Sequence, residues 1–368
     1  MNMSIIILVV LFAAAFFMPR SKLLYWGIMF YMWLLFSLNT GAPDTSIYEW
    51  IYNEGMRDAF EPLFTFLMLT CRSMGFSFTS FRMVEATLLL FFLNLTFRKI
   101  NQPKTLAAAM YMIALFPWHV SGMRAALACV IMMYGMTFLF DRSKTNVKVY
   151  CIFLIMAVLV HYSSVLFSVM LLVKKDTKRI NIVLYFIFVV IGILVVRYTD
   201  ILLNLVRCFT SREKIITWLS GGIGKEGFPN LKGFSAELMI LFGNIYLTQR
   251  SKKIVSRYDV TGSGRYAAKI ISNLNIITIL YIPFLRLNDT YMRLLYVVTG
   301  IDLVLYAMTA YIIREHRKKV RMCRGMKINV YILMVFAWMY VVAFYQTLPY
   351  LGTSSSVFVF LGENSMFP

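Results

Sequence analysis

Apolar runs long enough for the hydrocarbon core of a bilayer recur along this chain, separated by short basic clusters, and that alternation leaves few folds open. A bilayer core about 30 Å thick needs about 20 apolar residues, and backbone groups inside it must be paired within their own segment. Each run is therefore expected to be helical. Runs at 4–18, 23–38, 79–97, 104–118, 123–140, 180–205, 233–248, 270–287, 293–313 and 328–347 predict about ten spanning helices. With 60% hydrophobic and 15% charged residues among 368, little is left for a soluble domain. Residues 1–368 thus read as a single transmembrane domain, all-α and polytopic. The first run lacks the basic flank and small-residue cleavage site of a signal peptide and reads as a retained helix.

The formal charge of +20 invites a nucleic-acid reading, but the basic residues lie between apolar runs, where orientation signals belong. Clusters at 20–22, 98–104, 141–148, 174–179, 250–269 and 314–327 carry +21 between them, so the rest of the chain is close to neutral. The positive-inside rule places these six clusters in the cytoplasm and both termini outside. Nucleic acid is not an expected partner; membrane lipids are. His316, inside the last cluster, is expected to be solvated or near lipid phosphates.

Two segments do not fit as simple spans. Residues 150–173 lie between two clusters that both belong inside, so they are expected to enter and leave on the same side as a re-entrant element, with His161, Tyr162, Ser163 and Ser164 at its apex. Residues 61–75 are short and interrupted by Arg72, which suits a helix lying at the outer interface. Glu61 followed by Pro62 marks its start, because proline is well placed at the first helical position and a carboxylate favours that end. Outer loops are expected at 39–78 and 206–232. The second holds Gly221, Gly222, Gly224 and Gly227 without a phosphate-binding GxxxxGK[ST]. Five isolated cysteines, Cys71, Cys129, Cys151, Cys208 and Cys323, suggest neither a disulfide framework nor a zinc site. No internal repeat is found.

Ionisable groups in or near hydrocarbon are costly, so those left over after orientation are the functional candidates. Asp44, Tyr48 and Tyr52 would share one face of a helix, followed by Glu49, Glu54, Asp58 and Glu61; carboxylates accept sugar hydroxyls or act as a base, and aromatic rings stack on pyranoses. A solvated loop explains the same spacing. Trp118, His119 and Arg124 stand where the fourth run turns into the fifth, and Arg124 either clamps a diphosphate with its planar donor fork or snorkels to the headgroups. Arg286, Asp289, Tyr291 and Arg293 cluster in a short outer turn, as an ordinary ion pair or a second phosphate contact. Arg82 and Glu85, three apart at a span entrance, read as structural.

Four elements then form a pattern: GAPDTSIYEWIY at 41–52, EPLF at 61–64, WHVSGMRAALA at 118–128 and LVHYSSVLF at 159–167. In order and spacing they resemble the EpsG family of Wzy-type bacterial polysaccharide polymerases. Ala125 stands where that family commonly has glutamine. The resemblance implies a membrane glycosyltransferase that joins polyprenyl-diphosphate-linked oligosaccharide repeat units on the outer face of the bacterial cytoplasmic membrane, without nucleotide sugar, metal or other cofactor. A flippase and a chain-length regulator are the partners it implies, and its fold would be similar to those of other lipid-linked-sugar transferases. It also implies that Asp44, Tyr48, Glu61, Arg124 and His161 lie in or beside the site. For such a reaction Arg124, with Arg286 or Arg293, would hold the diphosphate, Asp44 or Glu61 would deprotonate the acceptor, and His161 would be an alternative base or a diphosphate donor. A transporter of lipid-linked glycans is the rival reading; it needs polar residues on several helices at mid-membrane depth, whereas here they are expected near one face. A membrane acyltransferase using His161 is a third reading, for which Tyr162, Ser163 and Ser164 offer no recognised arrangement.

Overall fold

A computed structural model describes residues 3–42, 44–99, 103–140, 146–174, 231–258, 263–282 and 292–316, with 186, 190, 334, 335 and 337–339. The expected runs 180–205 and 328–347 lie largely outside these residues, and loop 206–232 almost wholly so. Everything described is helical or connecting: α1 (Met3–Phe17), α2 (Lys22–Leu38), α3 (Thr45–Glu54), α4 (Pro62–Ser73), α5 (Phe78–Lys99), α6 (Lys104–Ala114), α7 (Phe116–Ser121), α8 (Met123–Thr137), α9 (Val147–Val160), a 3-10 helix (Tyr162–Lys174), α10 (Leu231–Tyr258), α11 (Ser263–Ile277) with a 3-10 turn (Thr278–Tyr281), and α12 (Met292–Glu315).

Two described helices, Phe78–Lys99 and Leu295–Glu315, are long and apolar enough to cross a membrane; α1, α2, α6, α8 and α9 are apolar but shorter. Large apolar side chains such as Val9, Val10, Trp26, Phe30, Phe91 and Ile155 are left exposed, as a lipid-facing surface would leave them. Hydropathy misplaced three boundaries. The run 104–118 is not one helix: α6 stops at Ala114, Leu115 leaves helical geometry, and Pro117, which has no N–H to donate, enters the separate short α7. The run 270–287 is likewise divided, into α11 and the 3-10 turn. The expected loop at 250–269 is mostly helical, since α10 continues to Tyr258 and α11 begins at Ser263.

Helix α8 packs on α5 and α9, α2 on α5 and α6, and α12 runs among α6, α8, α10 and α11. Small residues permit the closest approaches. A Cβ at Gly135 of α8 would sit 2.8 Å from the Cβ of Phe153 on α9, so only glycine lets these two helices meet. Polar bonds fix the remainder, with Tyr31 Oη donating to the Ser4 carbonyl at 2.6 Å and Tyr25 Oη to Asn94 Oδ1 at 2.8 Å. Arg82 is buried and donates to the carbonyls of Phe36 and Asn39, satisfying the otherwise unpaired C-terminal end of α2. It does not pair with Glu85. Both oxygens of Glu85 lack a hydrogen-bond partner among the described residues.

The chain reverses at His161, and Tyr150 Oη near the start of α9 donates to the Phe167 carbonyl at 2.6 Å, so the 3-10 helix returns alongside α9. A second polar system runs through the later helices. Asn244 donates to Thr299 Oγ1 at 3.0 Å and accepts from Trp338 Nε1 at 2.7 Å, while Asn275 donates to Asp302 Oδ1 at 2.6 Å. Asp302 is midway along α12, which corrects the expectation that polar residues gather only near one face.

Candidate functional site

Glu61 is where three distant segments meet. The Glu61-Pro62 start forms as expected, with Pro62 opening α4 and Glu61 at its N-cap, but the carboxylate makes no bond to its own helix. It is buried and turns instead to other segments. Oε2 accepts from Arg124 Nη1 at 2.5 Å, while Oε1 faces His161 Nδ1 at 3.1 Å and accepts from the Tyr162 backbone N–H at 3.3 Å. Arg124 comes from the first turn of α8, and His161 from the bend that caps α9. Residues 63 and 100 positions away in sequence thus share one carboxylate.

Tyr48 completes the group from α3. Its hydroxyl accepts from Arg124 Nε at 3.0 Å, and the guanidinium carbon lies 4.3 Å from the centre of the Phe60 ring. The sugar stacking expected of the Tyr48 ring is not what the structure shows. Its ring is buried and stacked on Phe60 at 5.1 Å between centroids, so it holds Arg124 through its hydroxyl rather than offering a ring to a sugar. Tyr52 lies on the same face as predicted, but it too is covered, stacking on Phe81 and donating to the Phe76 carbonyl at 2.7 Å. Gly55 ends α3 at φ +68°, a left-handed conformation natural to glycine, and the Arg72 guanidinium occupies the space a Cβ would need.

Burial pushes the Glu61 carboxyl upward, but the hydrogen bond with His161 and the charges of Arg124 and His161 outweigh it and hold its pKa at about 2, against an ordinary 4.5. Glu61 is thus ionised at neutral pH and strongly committed to its partners. A carboxylate so acidic is a poor proton acceptor, because a general base works best near the operating pH. Its stronger role is to orient. The ionised Oε1 can only accept a hydrogen bond from Nδ1–H, so His161 carries its hydrogen there and its Nε2 is left as the basic nitrogen. Burial raises the Tyr48 hydroxyl above 10, against the opposing pull of Arg124, so it stays neutral beside the guanidinium.

Other expected residues stand apart. Asp44 precedes α3, half-buried, without the cap bond open to an aspartate there, and no hydrogen bond or ion pair joins it to Arg124 among the described residues. Arg286 lies outside the described residues; Arg293 is on α12, and its side chain is outside them. The sequence reading missed Phe60, one of 31 phenylalanines and distinguished by nothing but its position before Glu61. Among the described residues no group of three or more His, Cys, Asp or Glu side chains is placed to hold a metal ion.

A helical architecture with lipid-facing side chains and a buried carboxylate joined to a half-buried guanidinium and imidazole at the meeting point of four segments defines a class of membrane protein rather than a soluble enzyme. Within that class the chain belongs to the EpsG family, whose family model matches residues 22–351, a family of Wzy-like polysaccharide polymerases. No curated protein and no solved structure gives a significant match.

Proposed function

We propose that this protein is a multi-pass glycosyltransferase of the bacterial cytoplasmic membrane, crossing it about ten times. It polymerises polyprenyl-diphosphate-linked oligosaccharide repeat units into a surface polysaccharide on the outer face. The single observation that supports this most is the convergence of Tyr48, Glu61, Arg124 and His161, one from each of the four family-like elements. The chemistry needs few parts, since the donor brings its own leaving group. An acceptor sugar hydroxyl attacks the anomeric carbon, and the bond from that carbon to the diphosphate oxygen breaks. The hydroxyl proton passes to His161 Nε2, and the polyprenyl diphosphate leaves with the electron pair. Glu61 orients His161 and stabilises the imidazolium that forms. Arg124 Nη2, which no hydrogen bond engages among the described residues, meets the developing negative charge. Arg286 and Arg293 are proposed as further diphosphate contacts, and Asp44 as a second acceptor contact.

Deletion of the gene followed by gel analysis of surface glycan tests this reading: single repeat units in place of long chains are expected. The polar system of Asn244, Asn275, Thr299 and Asp302 favours one rival, a flippase for the same lipid-linked units. Cytoplasmic accumulation of lipid-linked units on deletion would establish that rival and overturn the polymerase.

A further inference from the structure

On the side of α8 away from Arg124, a partly open cavity of about 20 Å³ is lined by Trp118, His119, Ser121, Gly122, Ala125 and Tyr296. That volume holds one oxygen-sized group. His119 is 97% buried, and its Nδ1 is hydrogen-bonded to the hydroxyl of Tyr111, which is completely buried on α6. Tyr111 has no other hydrogen bond among the described residues, and a buried hydroxyl that fails to donate is costly, so its proton goes to Nδ1. The imidazole therefore carries its own hydrogen on Nε2. That atom is buried, has no partner among the described residues, and belongs to a residue lining the cavity. The first turn of α8 adds backbone N–H groups ahead of Ala126, whose own N–H is engaged by Gly122. The unpartnered Nε2–H is a donor, so the occupant must bring an acceptor oxygen, and the Ser121 hydroxyl, which donates to the Trp118 carbonyl, can accept from a hydroxyl in return. Trp118 and Tyr296 pack on each other along one wall, their ring centres 5.7 Å apart.

We infer that this cavity is a sugar subsite in which His119 Nε2–H donates to one hydroxyl oxygen of a repeat unit, beside the Trp118–Tyr296 pair. The inference rests on the polymerase reading and adds a specificity residue to it. Arg124 leaves the same turn of α8 toward Tyr48 and Glu61, so sugar and diphosphate are read on two sides of one helix start.

The test uses the full-length protein in lipid nanodiscs and a lipid-free repeat-unit oligosaccharide prepared from the host's own surface polysaccharide, with calorimetric binding. His119→Phe and Ala125→Leu are each expected to raise the Kd about tenfold, the worth of one lost hydrogen bond to a buried donor. His119→Gln, which keeps an N–H near the Nε2 position, stays within about threefold. Gly122→Ala gives a fold-safe variant, because its methyl would meet only the Trp118 carbonyl at 3.6 Å and Ala125 Cβ at 3.9 Å; it also weakens the oligosaccharide. Polyprenyl diphosphate binding is unchanged in all four. If His119→Phe and Gly122→Ala bind oligosaccharide as wild type does, the cavity holds a structural water and the inference falls, while elongation by the wild type leaves the polymerase reading standing. If the wild type neither binds nor elongates the oligosaccharide units, both fall.

Discussion

Glu61→Gln is the perturbation that distinguishes an orienting carboxylate from a simple base. The substitution keeps shape and removes charge from a group held at a pKa of about 2 instead of 4.5. That displacement corresponds to about 3 kcal/mol in favour of the ionised form, similar to the 3–5 kcal/mol typical of breaking a buried ion pair. Purified Glu61→Gln should therefore melt several degrees below wild type at neutral pH. The sign with pH follows directly: a depressed carboxyl pKa stabilises the fold fully above 4.5, and that contribution is lost as pH falls toward about 2. Wild type should lose stability across that window, and Glu61→Gln should lack this component. Turnover should fall about 100-fold or more, because the imidazole loses both its tautomer and its counter-charge. The acid limb of the wild-type rate profile should lie where an imidazole gains a proton. An acid limb in the carboxyl range, or a Glu61→Gln variant with wild-type melting and turnover, would refute the reasoning.

Arg124→Lys keeps the charge but cannot hold Tyr48, Glu61 and a diphosphate together; polymer yield measured on gels should drop about tenfold or more, against little change if Arg124 only meets headgroups. Tyr48→Phe removes one hydrogen bond to the guanidinium and should cost about 1 kcal/mol in melting experiments, with turnover reduced less than by Arg124→Lys. Gly135→Val forces α8 from α9 and should cost about 1–3 kcal/mol by overpacking, read as a lower melting temperature, with elongation impaired because α9 carries His161 at its end.

Periodicity and charge carried the sequence a long way, because helix formation in hydrocarbon is dictated locally. The starts of α2, α5 and α8 fall where apolar runs begin, and Glu61-Pro62 announced α4 through capping chemistry alone. Hydropathy failed at Leu115 and near Ile277, where one apolar run holds two elements and the break depends on a single proline or on local packing. The candidate site divides the same way. Residue by residue, Tyr48, Glu61, Arg124 and His161 stand out separately, as costly or aromatic side chains, and only the family resemblance joins them, because no spacing rule links positions 61, 124 and 161. Their contact is a product of packing. Sequence also ranked Asp44 with Glu61, although only the second reaches the guanidinium, while Arg82, read as structural, caps α2. Phe60 and Tyr111 are ordinary aromatics until their neighbours are known.

The most direct measurement incubates the purified protein in proteoliposomes with polyprenyl-diphosphate-linked repeat units alone and follows products by mass spectrometry. The account predicts a ladder of lipid-linked chains with one polyprenyl diphosphate released per new linkage, abolished by His161→Ala and Arg124→Ala. Recovery of unchanged single units, or their transfer across the bilayer without elongation, would contradict it.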